Sequence, residues 1–169
     1  MNYVNLSNRY AVRPLTEADI PIMLALFRSN PLFYQHCPPP PSAETAREAM
    51  HALPPRKNMA DKHFLGFFDG ETLAAVLDLI TGFPTPEIAF WGLFMLDAAM
   101  QGQGRGTALV SELCAALQQQ GFRAVRLGWV KTNPQAEHFW KKNGFQETGV
   151  SYETDGYTVV VAQRELTYY

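Results

Sequence analysis

The pattern of apolar and polar positions predicts a hairpin followed by a central strand. The segment "KHFLGFFDGETLAAVLDLI" (62–80) holds two apolar runs joined at Asp69-Gly70, a strong hairpin signal. Residues 87–96 are apolar on both faces, which is typical of a strand in the middle of a sheet. Gly92 interrupts this strand, and an interior glycine often marks a bulge or a close approach to the backbone.

Helical periodicity predicts four helices around these strands. Asp19 and Ser42 are the predicted N-caps of "IPIMLALFRS" and "AETAREAMHAL", and the prolines of residues 30–41 predict a loop between the two helices. The other two helices are "TALVSELCAALQQQ" and "PQAEHFWKKNGF". Further strands are predicted at 10–15, 124–130 and 158–166. The resulting order predicts an α/β (α+β) fold with a mixed sheet of six to seven strands and about four helices.

Composition and charge narrow the class of protein. With 169 residues, 47% of them hydrophobic, the chain is expected to form a single domain over 1–169. The net charge of −2 and the lack of long basic runs disfavour binding to nucleic acid or to an anionic membrane. No long apolar segment or leader pattern is present, so a cytoplasmic protein is expected. Cys37 and Cys114 are expected to be free thiols, and no metal site is predicted.

The stretch "AAMQGQGRGTALV" (98–110) predicts an anion site. Gly102, Gly104 and Gly106 alternate just before a helix, where missing side chains let a phosphate reach the free amides of the helix start. The alternative is a tight turn without a ligand. A Walker A loop is disfavoured because no lysine lies near Gly106. A dinucleotide loop is disfavoured because the spacing is G-x-G-x-G and the strand at 124–130 contains no Asp or Glu.

Two segments of the chain carry a family resemblance. "QGQGRG" (101–106) fits the pattern Q/R-x-x-G-x-G/A, and "NPQAEHFWKKNGF" (133–145) is similar to N-x-x-A-x-x-F-Y-x-K-x-G-F. With the order of elements, these segments resemble the GNAT superfamily of N-acetyltransferases. The resemblance implies acetyl-CoA (CoA) as the cofactor and a GNAT fold, with a mostly antiparallel sheet whose bulged central strand splays from its parallel neighbour.

The resemblance also implies which residues hold the cofactor. The main chain of Phe94–Leu96 would pair with the pantetheine arm, and the Leu96 amide would stabilise the oxyanion. The glycine loop would bind the pyrophosphate, with the Arg105 guanidinium reaching a phosphate. The full cofactor-binding set is Phe94, Met95, Leu96, Gln101, Gly102, Gln103, Gly104, Arg105, Gly106, Thr107, Asn133 and Trp140.

The catalytic groups depart from the family pattern. Trp140 stands where many members have a tyrosine acid, and its indole N–H does not ionise usefully. Gly128 stands where some members have a glutamate base. The substitutes are Asp78, an acid inside an apolar strand, with Tyr34 and Tyr152 near the acceptor side. The alternatives are a structural or solvent-facing role for Asp78 and ordinary surface or core packing for the two tyrosines.

The expected acceptor site is partly apolar. Phe33, Tyr34 and Trp91, together with Asp78, are the predicted substrate residues, and they suit a primary amine of a small molecule, an amino-acid derivative or a peptide. Two functions stay open: an acetyltransferase working by direct attack in a ternary complex, and a silent acyl-CoA-binding module. The tail "LTYY" (166–169) allows a homodimer interface or a docked C-terminus.

Overall fold

A computed structural model of the chain describes residues 1–166, and the tail aromatics at 168 and 169 lie outside the described residues. The helices are α1 Ile20–Arg28, α2 Pro31–His36, α3 Ala43–His51, α4 Arg105–Gln119 and α5 Pro134–Lys142. The strands are β1 Ala11–Pro14, β2 Lys62–Asp69, β3 Thr72–Thr81, β4 Ile88–Leu96, β5 Ala124–Val130, β6 Gln146–Thr154 and β7 Tyr157–Glu165. No helix within residues 1–166 is long and apolar enough to cross a bilayer.

The seven strands of the described residues form one mixed sheet, and this confirms the predicted fold class. Their order is β1-β2-β3-β4-β5-β7-β6, and only β4 and β5 pair in parallel. A crossover through α4 links these two strands, as parallel neighbours require. The predicted hairpin at Asp69-Gly70 joins β2 to β3.

One element was predicted wrongly: the segment predicted as a loop at 30–41 contains the helix α2. Pro31 occupies its first turn, where a proline is tolerated because that N–H has no partner inside the helix. The helix stops at Cys37, just before the proline run that dominates the sequence pattern. The described residues therefore contain five α-helices, one more than the pattern predicts.

The sheet separates two apolar layers. On one face, α4 packs through Leu109, Leu113 and Leu117 against a cluster that includes residues of β3 to β5. On the other face, α1 and α3 pack through residues such as Met23 and Met50. Each helix thus buries one apolar stripe against the sheet.

The central strand β4 is bulged and splayed, as the resemblance implies. Its register with β3 runs from Asp78 opposite Leu93 to Leu79 opposite Trp91, so Gly92 is the extra residue of a bulge. Beyond Trp91, β4 and β5 no longer pair, because their ladder covers only 88–91 and 124–127. A slot therefore opens between the C-terminal ends of two neighbouring parallel strands.

Candidate functional site

The slot opens into a cleft of about 820 Å³. Its walls come from the C-terminal ends of β4 and β5, the glycine loop before α4, the helices α2 and α5, and the strands β6 and β7. Ligands of open α/β sheets commonly bind at the carboxyl ends of parallel strands. This cleft is therefore the candidate site.

The main chain of β4 turns groups that no neighbouring strand bonds toward the slot. The Asp97 amide donates to the Ala74 carbonyl at 2.8 Å, and antiparallel alternation then turns the main-chain groups of Leu96 and Phe94 away from β3. Consistent with this, the Leu96 carbonyl accepts side-chain hydrogen bonds from Asn30 (3.1 Å) and Gln101 (2.9 Å). The edge of β4 can therefore hydrogen-bond an extended ligand chain.

The glycine loop builds an open helix start. Gly102 (φ +78°) and Gly104 (φ +76°) adopt the left-handed conformation, and a Cβ at either would meet no atom within 4 Å. Gly104 is the N-cap of α4, and no described side chain caps this end. At Gly106 the requirement for glycine is steric, because a Cβ added there would stand 3.3 Å from the Phe139 ring. Free amides at an open helix N-terminus favour an anion.

Helix α5 closes the cleft with an aromatic wall. The Asn133 carboxamide accepts from the Ala136 amide at 3.1 Å and so caps this helix. Trp140 is buried, with its ring centroid 5.2 Å from that of Phe145 and 6.1 Å from that of Trp91. Trp140 therefore belongs to the core between α5 and β4, although part of it borders the cleft.

Helix α2 lies across the slot and is tied down at three points. At its N-terminal end, Asn30 donates to the Leu96 carbonyl of β4. In its last turn, His36 Nδ1 lies 2.9 Å from the Thr132 hydroxyl, which follows β5. At its C-terminal end, Cys37 Sγ lies 3.2 Å from the Tyr157 hydroxyl of β7. These contacts join both sides of the splayed sheet through one short helix, which we call the α2 strap.

Phenols gather beside the C-terminal end of the strap. Tyr152 and Tyr157 border the cleft, whereas Tyr34 packs against Phe33 with ring centroids 4.9 Å apart. Burial raises the pKa of all three phenols, and the neighbouring Cys37 adds to this effect. These tyrosines are therefore protonated at neutral pH, and their hydroxyls can donate hydrogen bonds.

Asp78 lies directly behind the bulge of β4. Its carboxylate is 3.1 Å from Lys62 Nζ, which also donates to the Ala52 carbonyl at 2.6 Å. A Cβ on Gly92 would stand 2.6 Å from Asp78 Oδ2, and Gly92 itself borders the cleft. Burial raises the pKa of Asp78, while the Lys62 charge opposes this rise. Asp78 combines a structural ion pair with a position next to the slot.

The structure gathers most of the predicted residues in one place. Those that border the cleft are Phe33, Trp91, Phe94, Met95, Leu96, Gln101, Gly102, Gly104, Gly106, Thr107, Asn133, Trp140 and Tyr152. Four predicted residues do not border it: Tyr34, Asp78, Gln103 and Arg105. Within residues 1–166, no three His, Cys, Asp or Glu side chains converge as metal ligands.

Three polar residues of the cleft, Asn30, Cys37 and Tyr157, were not among the predicted site residues. Asn30 and Cys37 flank the helix that lies in the segment predicted as a loop, and Tyr157 begins the last strand. A helix start at Asn30-Pro31 is the local signal that would have indicated the element that holds the first two. Nothing in the sequence pattern brings Tyr157 to Cys37, because that contact depends on β7 pairing next to β5.

Comparison with known proteins agrees with this geometry. Residues 27–145 match the sequence profile of the acetyltransferase (GNAT) family, and the chain belongs to this family. No curated protein sequence matches it significantly. An acetyltransferase from Thermus thermophilus superimposes with a TM-score of 0.70 at 24% identity, covering 93% of this chain and 97% of that one.

Two further solved structures have the same fold. The ribosomal-protein-S18-alanine N-acetyltransferase from Escherichia coli gives a TM-score of 0.65 at 18% identity and covers 95% of this chain and 96% of its own. Ard1 from Thermoplasma volcanium gives a TM-score of 0.65 at 18% sequence identity, and the alignment covers 95% of this chain and 99% of that one. At these identities the likeness shows the fold, and family membership supports acetyl transfer in general.

Proposed function

We propose that this single-domain protein is an N-acetyltransferase that transfers the acetyl group of acetyl-CoA to a primary amine by direct attack in a ternary complex. The observation that supports this proposal is that one cleft contains both an open helix N-terminus and a strand edge without a neighbouring strand. The uncapped start of α4 lies at one end, and the unpaired edge of β4 leads from it to the bulge at Gly92. An anionic head and an extended arm are the two parts of CoA that such a cleft fits.

The cofactor contacts follow from the groups that the chain leaves open. Amides of the glycine loop from Gly102 to Thr107 would bind the pyrophosphate, and the main chain of Phe94 and Leu96 would pair with the pantetheine arm. Gln101 supports this edge by holding the Leu96 carbonyl. When bound, acetyl-CoA supplies the activated thioester.

The proton-transfer groups lie on the side of the slot covered by the strap. The Leu96 amide faces the slot and can donate to the oxyanion that develops on the thioester carbonyl. Asp78 is the carboxylate behind the bulge, and a raised pKa makes it a better base toward an ammonium group. Tyr157 and Tyr152 border the cleft and stay protonated, so their hydroxyls can donate hydrogen bonds to the departing sulfur.

Thermal denaturation and a thiol-release assay test this function. CoA is expected to raise Tm, whereas ATP and NAD are not, and adding an acceptor amine to acetyl-CoA should release free thiol. Asp78→Asn should lower kcat while CoA still stabilises the protein, since the carboxylate does not border the cofactor path. Cys37→Ser should keep turnover under direct attack; loss of turnover together with acetylated Cys37 in the wild type would contradict the ternary complex.

One observation favours a second function, a silent acyl-CoA-binding module. Trp140 is core, and a Cβ on Gly128 would clash with Val159 at 2.5 Å, so the family's usual acid and base positions are both filled by packing. This alternative predicts that CoA binds tightly while no amine in a broad panel releases thiol. Turnover that depends on Asp78 would exclude it.

A further inference from the structure

The α2 strap lies across the slot and contacts elements on both of its sides. It crosses the slot from the Leu96 end of β4 to Thr132 and then to Tyr157, so it covers both sides of the opening. Four prolines at 38–41 follow it, and their fixed φ angles and missing amide donors limit the ways this end can rearrange. The pocket beneath the strap is therefore roofed by a short helix held at both ends.

The walls beneath the strap are mainly apolar and carry no acidic side chain among the described residues. Phe33 and Cys37 line the roof, Leu93 and Met95 line the β4 side, and the opposite side carries Tyr152, Tyr157 and Val159. The two lining side chains that ionise as bases, His138 and Lys142, lie on α5 on the other face of the sheet. No Asp or Glu among the described residues borders the cleft, and Asp78 lies behind Gly92.

These walls fit an apolar body with one amine. Aromatic rings attract an ammonium group at their faces, and the phenol hydroxyls of Tyr152 and Tyr157 supply its few polar partners. An extended peptide would bring buried amides and carbonyls without partners beneath an apolar roof, which is costly.

We propose that the acceptor is a small primary amine with an apolar or aromatic body that fits wholly beneath the α2 strap, and that peptide and protein N-termini are excluded. The inference rests on the proposed acetyl transfer and narrows its substrate. The amine lone pair forms the N–C bond, the C–S bond breaks, and one amine proton is transferred to the sulfur, giving the amide and CoA thiol.

Three probe amines separate the effect of ligand length from the effect of an apolar side chain. L-Phenylalaninamide and the amide of the tetrapeptide Phe-Ala-Ala-Ala share the same terminal amine and side chain, whereas glycinamide lacks the apolar body. Calorimetry on the CoA-saturated protein should give binding of phenylalaninamide at least about tenfold tighter than binding of either other probe. Thiol release should follow the same order in kcat/KM. Equal or tighter binding of the tetrapeptide would overturn the proposal.

A variant of the strap's contact changes the ratio of two binding affinities, which a general folding defect would leave unchanged. Thr132→Val removes the hydroxyl that holds His36, and losing one such bond should raise tetrapeptide binding relative to phenylalaninamide about two- to tenfold. Thr81→Val is the matched control, because it removes a single hydroxyl bond to the Asp61 carbonyl outside the cleft. An unchanged ratio in Thr132→Val, or an equal change in Thr81→Val, would overturn the role of the strap.

The binding and turnover measurements together distinguish failure of the proposed acetyl transfer from failure of the proposed size selection. If phenylalaninamide binds selectively but no amine releases thiol, acetyl transfer is wrong while the size selection stands. If the tetrapeptide is acetylated as efficiently as phenylalaninamide, acetyl transfer stands and the size selection is wrong.

Discussion

Gly104→Ala tests the cofactor loop most directly. Gly104 has φ +76°, and a Cβ there points into open space at the start of α4, where the pyrophosphate is proposed to bind. A methyl group at this point should displace at least one charge-assisted hydrogen bond, worth about 1.5–3 kcal/mol. This loss corresponds to an increase of about 10- to 150-fold in the Kd for CoA, which calorimetry can measure.

Gly121→Ala is the matched control for Gly104→Ala. Gly121 follows the other end of the same helix, has φ +97°, and its added Cβ would also meet no atom within 4 Å. Both variants should lose about 1–2 kcal/mol of stability from left-handed strain, or about 2–8 °C in Tm. Only Gly104→Ala should lose CoA affinity. Wild-type affinity in Gly104→Ala, or an equal loss in Gly121→Ala, would refute the assignment of the loop.

Three further predictions concern the supporting structure. Lys62→Met leaves the Asp78 carboxylate buried without its partner and should cost about 3–5 kcal/mol in urea denaturation, with Lys62→Met/Asp78→Leu recovering part of the loss. Gly92→Ala places a Cβ 2.6 Å from Asp78 Oδ2 and should cost about 1–3 kcal/mol. The Arg13 guanidinium lowers the pKa of Asp19 to about 2 in the folded protein. Ionised Asp19 therefore stabilises the fold fully at pH values above 3.8, the usual pKa of an Asp side chain. The Tm advantage of wild type over Asp19→Asn should therefore shrink progressively as pH falls from about 5 to about 2; an advantage that is unchanged between pH 5 and pH 2 would contradict this linkage.

Local sequence signals predicted the scaffold well. The Asp69-Gly70 hairpin, the apolar run of β4 and the leucine repeat of α4 each depend on neighbouring residues alone, and the structure confirms them. Gly92 also indicated its bulge, because a glycine weakens the interior of a central strand unless a bulge or a close contact requires it. Helix α2 was missed because the proline run after it dominates the composition of that segment.

The sequence by itself determined the order of elements, the glycine loop and the resemblance to an acetyltransferase family. These depend on periodicity and on residues that lie close together in the chain. Tertiary structure alone placed Asp78 against Lys62 and Tyr157 against Cys37, pairs separated by 16 and 120 residues. Such contacts depend on strand register and on which helix crosses the splayed sheet, and neither leaves a local pattern. The proposed acceptor pocket depends on contacts of this second kind, such as that of Cys37 with Tyr157.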